Sequence, residues 1–366
     1  MNIEMCKTNE ILSFIDNFED SELDGLAEKI NKKIKDVKLK SLVQIDHFQK
    51  DNWCELNIKK LSIKSPNLTL VGQSIAGCRS SIVIPEIGIV FDYGINTLIG
   101  CGQPLVAITH GHADHMGSLH FHAFERRMHL MADPTYLMPE ECIEYFNKAF
   151  DAYKFLNRHG STFVGRTYKP IGIGPVAKNV NVKLLQTPKG KFIVKAFATD
   201  HTVPSVGYIV YEIRKKLLPE FTGMDSKDIA KIAKTGKIVS EIIETPIIGY
   251  TGDTRIEGIF NNPDFLNVQV LITECSYLGI DKVEEHQDED EAEDYDVVRG
   301  EGDNILKCKA RGHIHLNEIY ENREKFNNKL LILCHFSRRY RKEEILDKVS
   351  WLNNNFNGRT NVVPFI

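Results

Sequence analysis

From about residue 67 onward, short apolar runs alternate with glycine, proline and polar residues, and this pattern predicts a sheet-rich fold. Residues 80–94, SSIVIPEIGIVFDYG, read as two strands with Pro85–Gly88 in the turn between them. Helical periodicity appears within residues 135–157, with Pro139 near a helix start. Further predicted strands are LVAI, FIVKAFATD, VGYIVYEI, PIIGYTG, VQVLITE and KLLILCH. Strands and helices alternate late in the chain, which indicates a mixed α/β class.

The first 66 residues have a different texture. Apolar residues recur at helical spacing over residues 21–37, and Ser21 is placed to cap that helix. No cluster of catalytic or metal-binding side chains accompanies this pattern. We therefore expect residues 1–66 to form a partly helical extension, followed by one domain over residues 67–366.

The composition is that of an ordinary folded protein. The 366-residue chain is 42% hydrophobic and 26% charged, so it can bury a sizeable core. It lacks a run of about 18 apolar residues, which argues against a membrane span. The start MNIEMCKTNE lacks the pattern of a secretory signal. The eight cysteines include no CxxC pair, so we expect reduced thiols and a cytoplasmic protein.

Charge is distributed unevenly along the chain. Residues 284–303 contain eleven acidic residues and one arginine, a composition typical of a solvated, disordered insertion. Residues 213–237 contain seven lysines and arginines against three acids. The net charge of −4 therefore comes from −10 in the acidic block and +6 in the other 346 residues. The average charge does not exclude an RNA partner.

The segment HGHADH at residues 110–115 directly follows the LVAI strand. Packing alone does not explain four ligand-type side chains at the end of a buried strand, because each needs a polar partner or solvent. Neutral imidazoles and a carboxylate are typical ligands of zinc and similar divalent ions. The pattern predicts a metal site that uses His110, His112, Asp114 and His115.

Three further ligand-type residues follow other apolar strands: His201, Asp253 and His335. The carboxyl ends of strands often form a common site edge in α/β proteins. With the HxHxDH residues they make seven ligands, enough for two metal ions with one bridging carboxylate. Two such ions are a known arrangement for activating water against a phosphodiester.

HxHxDH followed by isolated His, Asp and His resembles the metallo-β-lactamase superfamily. Within it, the chain is similar to the ribonuclease Z family, endonucleases that trim tRNA 3′ ends, in their short plant-type form. HxHxDH alone indicates the superfamily, whereas HFSRRY and GHIHLNEI are more selective. The resembling segments are FDYG, THGHADHMGSLHFHAF, DHTVPSVGYIVYE, YTGDTR, LITECSYL, GHIHLNEI and LILCHFSRRY.

The resemblance implies a four-layer αββα metallo-β-lactamase fold with an N-terminal helical extension and a small inserted arm. It implies two Zn²⁺ ions, with Mn²⁺ or another divalent ion as the alternative. Asp92 would orient the HxHxDH loop from outside the ligand set. The implied ligands are His110, His112 and His201 for one ion, Asp114, His115 and His335 for the other, and Asp253 as the bridge.

The resemblance also implies catalytic roles. Asp114 would accept a proton from the attacking water, and His313 would protonate the leaving 3′ oxygen. Glu274 is placed to orient His313. His315 is the alternative to His313, and a helix cap or surface position is the structural alternative for His313. We expect His120, His122 and His129 to be packing or surface groups, with substrate contact as the alternative for His120 and His122.

The implied substrate is precursor tRNA, held by an arm at residues 213–247 of a homodimer. Lysines of the arm would contact phosphates. The alternative is an amphipathic helix, DSKDIAKIAKTG, which packs by Ile229 and Ile232 while its lysines are only solvated. The candidate RNA-binding residues are Lys215, Lys216, Lys227, Lys231 and Lys234.

The chain departs from the family where its His-Glu-Ala-Thr segment reads Thr-Glu-Cys-Ser at residues 273–276. That difference puts the acceptor-end preference in question, but not the metal chemistry. The nearest alternative function is hydrolysis of cyclic nucleotides or other small phosphodiesters on the same centre. Two more distant candidates are a thioester or lactam hydrolase and a non-enzymatic RNA-binding subunit.

Overall fold

The structure is a computed structural model that describes residues 29, 33, 35, 43–45, 59–158, 168–174, 185–279 and 305–366. The predicted acidic insertion at 284–303 and most of the predicted helix at 21–37 lie outside these ranges. Two sheets dominate the described part of the chain.

The first sheet has nine strands among the described residues, in the order β1 to β8 with β15 beside β3. The hairpin predicted within residues 80–94 is present, since β4 and β5 pair antiparallel. Strands β1 and β2 come from before residue 67, so part of the segment predicted as an extension belongs to the sheet. The strands are β1 Val43–Ile45, β2 Lys59–Lys64, β3 Asn67–Ala76, β4 Arg79–Ile84, β5 Ile89–Phe91, β6 Leu105–Ala107, β7 Thr135–Pro139, β8 Lys169–Ile173 and β15 Phe336–Ser337.

The second sheet has seven strands in the described ranges, in the order β16-β14-β13-β12-β11-β10-β9. Strands β9 to β12 pair antiparallel, whereas β12, β13, β14 and β16 run parallel. The strands are β9 Leu185–Gln186, β10 Phe192–Ala198, β11 Val206–Leu217, β12 Ser240–Tyr250, β13 Val270–Glu274, β14 Leu330–Cys334 and β16 Asn361–Pro364.

The described helices lie between these strands. The stretch predicted within residues 135–157 begins as a strand and becomes a helix at Glu140. Two short 3₁₀ turns occur at Pro219–Phe221 and Arg323–Lys325. The α-helices are α1 Leu98–Cys101, α2 Ala113–Met116, α3 Leu119–Met128, α4 Glu140–Arg158, α5 Ser226–Lys234, α6 Ile256–Phe260, α7 Pro263–Asn267, α8 Ile305–Ala310, α9 Leu316–Glu321 and α10 Lys342–Asn354.

Alternating residues of each strand face opposite sides, and the core clusters follow this alternation. Phe91 and Ala107 of the first sheet meet Tyr250 and Ile272 of the second in a core between the sheets. The outer face of the first sheet packs on α3 and α4, and that of the second packs on α6, α7, α9 and α10. The layers are helix, sheet, sheet and helix, which confirms the predicted αββα architecture.

Strands β11 and β12 continue as an antiparallel pair to Leu217 and Ser240. Helix α5 lies between them, and the Asp225 carboxylate caps it by accepting from the backbone N–H of Lys227 at 2.8 Å. The helix itself confirms the DSKDIAKIAKTG prediction, but no residue of α5 is buried. No helix in the described ranges has both the length and the apolarity needed to cross a membrane.

Candidate metal centre

The predicted ligands meet because their strands end at the same edges. In the first sheet β5 and β6 are parallel, so Asp92 and the HxHxDH loop emerge together. In the second sheet β10 is antiparallel to β11, which is antiparallel to β12, so β10 and β12 share a direction. Strands β13 and β14 share it too. The carboxyl ends of these strands, in both sheets, thus converge on one centre.

Three histidines form the first group of ligand-type atoms. His110 Nε2 lies 3.0 Å from His112 Nδ1, and His201 Nε2 lies 3.4 Å from the same nitrogen. All three atoms fall within 4.8 Å of one another. His110 is fully buried, while His112 and His201 are partly exposed.

Asp114, His115 and His335 form the second group, again within 4.8 Å. His115 Nε2 lies 3.2 Å from His335 Nε2 and 3.5 Å from Asp114 Oδ2. Asp114 Oδ2 also accepts a hydrogen bond from the backbone N–H of Gly77 at 2.9 Å. The turn between β3 and β4 therefore positions this carboxylate.

Asp253 lies between the two groups. Its Oδ2 atom is 3.3 Å from His115 Nε2 and 4.0 Å from His110 Nε2. Its Oδ1 atom is 3.3 Å from His335 Nδ1. The buried carboxylate thus lies within 4.0 Å of a histidine of each group.

The donor set fits metal ions. Two imidazole nitrogens that face each other at 3.0–3.4 Å share at most one proton, whereas a cation between them accepts a lone pair from each. A tetrahedral zinc with bonds of about 2.0–2.1 Å separates its nitrogen ligands by ~3.3 Å. The histidine–aspartate clusters are thus compatible with a metal site.

Burial and neighbouring charges move the imidazole pKa values in opposite directions. Burial lowers the pKa of His110 well below its usual value, and the neighbouring His115 adds to this. Burial also lowers the pKa of His115, but the carboxylates of Asp253 and Asp92 outweigh burial and raise it well above the usual value. His110 is therefore neutral and offers a lone pair, as a ligand must.

Asp92 is fully buried and holds the HxHxDH loop. Its Oδ1 accepts from the Thr109 backbone N–H at 2.7 Å, and its Oδ2 accepts from Tyr250 Oη at 2.8 Å. Oδ2 also lies 2.7 Å from His115 Nδ1. That contact orients the ring so that Nε2 is the His115 nitrogen that points to the centre.

Two residues of the centre have strained backbones. Asp92 and His335 both have φ of 56°, in the left-handed region that non-glycine residues rarely adopt. Each directly follows a buried strand. Such a backbone conformation costs on the order of 1–3 kcal/mol, so it persists only where the surrounding packing stabilises it. Residues of this kind are typical of functional sites.

The other histidines are oriented in a similar way. His110 Nδ1 lies 3.0 Å from Thr109 Oγ1, and His201 Nδ1 donates to the Gly312 carbonyl at 2.8 Å. Gly312 has φ of 79°, and a Cβ there would lie 2.6 Å from His201 Nδ1. Only glycine allows this approach.

His313 and Glu274 form a pair beside the centre. His313 Nδ1 lies 3.0 and 3.1 Å from the two carboxylate oxygens of Glu274, and 3.8 Å from Asp253 Oδ2. Glu274 is buried and also accepts from the Thr254 N–H at 2.8 Å. Burial lowers the pKa of His313, but Glu274 outweighs it and raises the pKa to about 9.

The Ser276 hydroxyl connects this pair to the ligands. It donates to Glu274 Oε2 at 2.6 Å and lies 3.1 Å from His335 Nδ1. It also lies 3.4 Å from His313 Nδ1. Ser276 belongs to the segment in which the sequence departs from the family, so the departure retains a hydroxyl at this position.

The remaining histidines lie elsewhere. His315 is the N-cap of α9, where its Nδ1 accepts from the Asn317 N–H at 3.1 Å. His122 is buried, and its Nδ1 lies 2.9 Å from Tyr136 Oη. His129 is exposed just after α3. His120 is partly exposed and stacks on Tyr153.

The five candidate lysines lie on the arm rather than at the centre. Lys215 and Lys216 are exposed on β11, and Lys227, Lys231 and Lys234 are exposed on α5. Lys231 pairs with Asp228 at 2.9 Å. Within the described residues the other four have no ion pair.

Four supporting groups were not predicted from the sequence: Thr109, Tyr250, Ser276 and the Gly312 carbonyl. Ser276 lies two residues after Glu274, on the same side of an extended segment, and that spacing was the available signal. Thr109 and Tyr250 adjoin predicted site segments. The Gly312 contact to His201 spans 111 residues and had no local signal.

No family model matches the chain. It is 29% identical over 309 residues to tRNase Z TRZ2, chloroplastic, of Arabidopsis thaliana, covering 84% of this chain and 77% of the relative. A structure of human tRNase Z, short form, has a TM-score of 0.47 at 18% identity, over 73% of this chain and 92% of that one. The chain is also 30% identical over 306 residues to tRNase Z TRZ1 of Arabidopsis thaliana, covering 82% of this chain and 96% of the relative. On the strength of this last similarity, the chain belongs to the tRNase Z, or ribonuclease Z, family.

Proposed function

We propose that the protein is a metal-dependent endoribonuclease that removes 3′ trailers from precursor tRNA. The observation that carries this proposal is the convergence of seven ligand-type side chains beside the His313–Glu274 pair, in a chain of the tRNase Z family. The ligands supply a place for water activation, and the pair supplies a proton donor next to it.

In this proposal His110, His112 and His201 would hold one divalent ion, and Asp114, His115 and His335 would hold the other. Asp253 would be the ligand shared by the two groups. Zinc ions bound there would lower the pKa of a water towards neutrality and stabilise charge on the phosphate oxygens. The nitrogen and carboxylate donor set supports zinc as the metal.

Asp114 is the proposed proton acceptor. Its side chain is 13% exposed, whereas that of His115 is fully buried, so Asp114 is more accessible to solvent than His115. Burial raises the pKa of Asp114, but hydrogen bonds from His115 and His335 outweigh it, so the carboxylate is ionised. An ionised carboxylate at this position can take a proton from the attacking water.

His313 is the proposed proton donor to the leaving 3′ oxygen. Glu274 accepts from its Nδ1, which leaves Nε2 to face the substrate. His313 is 18% exposed, whereas Glu274 is almost wholly buried, so the imidazole is the accessible member of the pair. The capping role of His315 supports the choice of His313 over its neighbour.

The arm is the proposed tRNA-binding element. Its helix α5 exposes all three of its candidate lysines, which supports a binding role, while Ile229 and Ile232 are partly buried. Lys215, Lys216, Lys227 and Lys234 keep their charge available for phosphates, and Lys231 shares its charge with Asp228. We retain residues 213–247 as the arm and propose a catalytic domain that comprises residues 67–366 together with the strands β1 and β2 of its first sheet.

The direct test is incubation of the purified protein with a 3′-extended precursor tRNA, with and without a chelator. We expect one cut that leaves a 3′ hydroxyl on the tRNA, lost with chelator and restored by Zn²⁺. Cleavage of 2′,3′-cyclic or 3′,5′-cyclic nucleotides without cleavage of the precursor would overturn the proposal in favour of a small-phosphodiester hydrolase. Comparison of Zn²⁺ with Mn²⁺ in the restoration identifies the better metal.

We also propose a homodimer in the cytoplasm, as the family resemblance and the cysteine pattern predict. Light scattering on a size-exclusion column tests the dimer, because a mass of 41.7 kDa would contradict it. The relative TRZ2 carries the description chloroplastic, so fractionation of the source cells decides between the cytoplasm and an organelle.

A further inference from the structure

A cavity of 620 Å³ lies behind the HxHxDH loop. Its wall includes Gly111, which stands between two ligand histidines, and Val203 and Pro204, which follow His201. A Cβ on Gly111 would lie 3.4 Å from Cys142 Sγ, another residue of the wall. The cavity therefore borders the two loops that carry His110, His112 and His201.

The wall is aromatic. His120 and Tyr153 stack with their ring centroids 3.7 Å apart and an angle of 7° between the planes. Tyr145, on the same helix α4 as Tyr153, also borders the cavity and is 71% exposed. Phe146 and Phe150 close the inner side. Flat aromatic faces next to a nuclease centre are suited to stacking of a nucleobase.

The charge of the wall argues for a base rather than a phosphate. Among the lining residues that the structure describes, Glu141 is the only acid and none is lysine or arginine. A phosphate group would be bound without a cationic partner and would meet that carboxylate. A neutral, planar group of the size of a purine or pyrimidine fits within the volume and suits the lining.

We propose that this cavity binds, by stacking, the base of an unpaired nucleotide that adjoins the scissile phosphate. The inference rests on the proposed function and adds to it a subsite for one base of the substrate. With its base bound in the cavity, the RNA strand would pass over the HxHxDH loop. The phosphate next to that base would then lie at the metal centre.

The first test compares three 3′-extended precursor tRNAs: the unmodified RNA, one with an abasic residue 5′ of the scissile phosphate, and one with it 3′. We expect one of the two abasic RNAs to bind about 5- to 150-fold more weakly, the range that corresponds to loss of one stacked base. The affected RNA identifies which side of the cut enters the cavity. Equal binding of all three RNAs would overturn the inference.

The second test uses Tyr145→Ala and Tyr153→Ala, with Phe155→Ala as the matched control. Phe155 lies on the same helix and is 77% exposed, but it does not line the cavity. In each tyrosine variant we expect the affinities for the unmodified RNA and the affected abasic RNA to become more similar. The control variant should keep the full difference in affinity. Tyr153→Phe keeps the aromatic ring, so this variant should keep the parental difference in affinity between the unmodified and the abasic RNA.

Tyr145 is exposed, so its truncation to alanine leaves the core intact. Loss of the binding difference in Tyr145→Ala therefore cannot be attributed to misfolding. A tyrosine variant that keeps the parental difference between the RNAs would count against the cavity. Filter binding in chelator separates the two proposals. Base-dependent binding without cleavage on metal addition would overturn the nuclease and leave the subsite, whereas cleavage without base dependence would overturn only the subsite.

Discussion

The metal centre and the arm hold their polar side chains in opposite ways. At the centre Asp92, Asp253 and Glu274 are buried, and each carboxylate has at least two polar contacts at 3.3 Å or less. On the arm the helix α5 has no buried residue, and most of its candidate lysines have no ion pair in the described ranges. The side chains of the centre are thus held by neighbouring groups, whereas the lysines of the arm can change conformation when a substrate binds.

The difference teaches where each kind of function can reside. Activation of water and proton transfer depend on the positions of a few atoms, so they need groups whose orientation is fixed before the substrate arrives. Contact with phosphates relies on long-range charge and tolerates mobile lysines. Changes at the centre should therefore alter turnover, and changes on the arm should alter binding and its salt dependence.

The largest effect is expected from Asp253→Ala, because this carboxylate touches both groups of ligands. We expect cleavage of precursor tRNA to fall by about 10³-fold or more, with less metal bound per chain. Mass spectrometry of the metal content and single-turnover rates measure both. The control is Asp347→Ala, an exposed acid on α10. A variant with parental metal content and rate would remove Asp253 from the ligand set.

His313→Ala should come next. Loss of a general acid lowers the rate by about 10²- to 10⁴-fold, and metal content should not change because His313 is outside the proposed ligand set. The substrate dissociation constant should also stay near the parental value. His129→Ala removes an exposed histidine and serves as the control. Parental turnover in His313→Ala would contradict the assignment.

Asp92→Asn tests how far the fixed geometry of the centre depends on its support. The amide keeps the shape but loses a charged acceptor for His115 Nδ1, so we expect metal affinity to fall by about 10- to 100-fold. Competition with a chromophoric chelator measures the affinity. Tyr250→Phe removes only one hydrogen bond to Asp92 and should cost less. Unchanged metal affinity in Asp92→Asn would show that the orientation of the ligands does not depend on the Asp92 carboxylate.

The smallest effect on turnover is expected on the arm. The double variant Lys227→Ala/Lys234→Ala should raise KM and leave kcat unchanged. The slope of log binding constant against log salt should decrease by about 0.7–0.9 for each phosphate contact that is lost. Lys227→Arg/Lys234→Arg keeps both charges and should keep the slope. A fall in kcat with an unchanged salt slope would place these lysines in another role.

The convergence of the seven candidate ligands could be predicted because two local signals coincide. HxHxDH is compact in sequence, and His201, Asp253 and His335 each follow an apolar strand whose direction fixes the edge at which it ends. Local patterns define strands, and parallel strands bring their carboxyl ends together. Convergence at one edge thus follows from topology, without knowledge of any single contact.

The supporting contacts and the outer strands could not be predicted in the same way. The Gly312 carbonyl meets His201 across 111 residues, and Tyr250 meets Asp92 across 158. Hydrogen bonds of such range depend on packing and have no period in the sequence. Strand β2 was included in the predicted extension, although Leu61 and Ile63 alternate inward as a strand requires.

Each group of ligands draws on both sheets. His110 and His112 follow β6 of the first sheet, while His201 follows β10 of the second; Asp114 and His115 are likewise joined by His335, after β14. A bound cation would therefore tie the halves of the sandwich together across their seam. Because a ligand of the native state alone stabilises it by RT ln(1 + [L]/Kd), thermal unfolding would shift upward with free metal concentration. Metal supply would then govern the protein's lifetime as well as its catalysis.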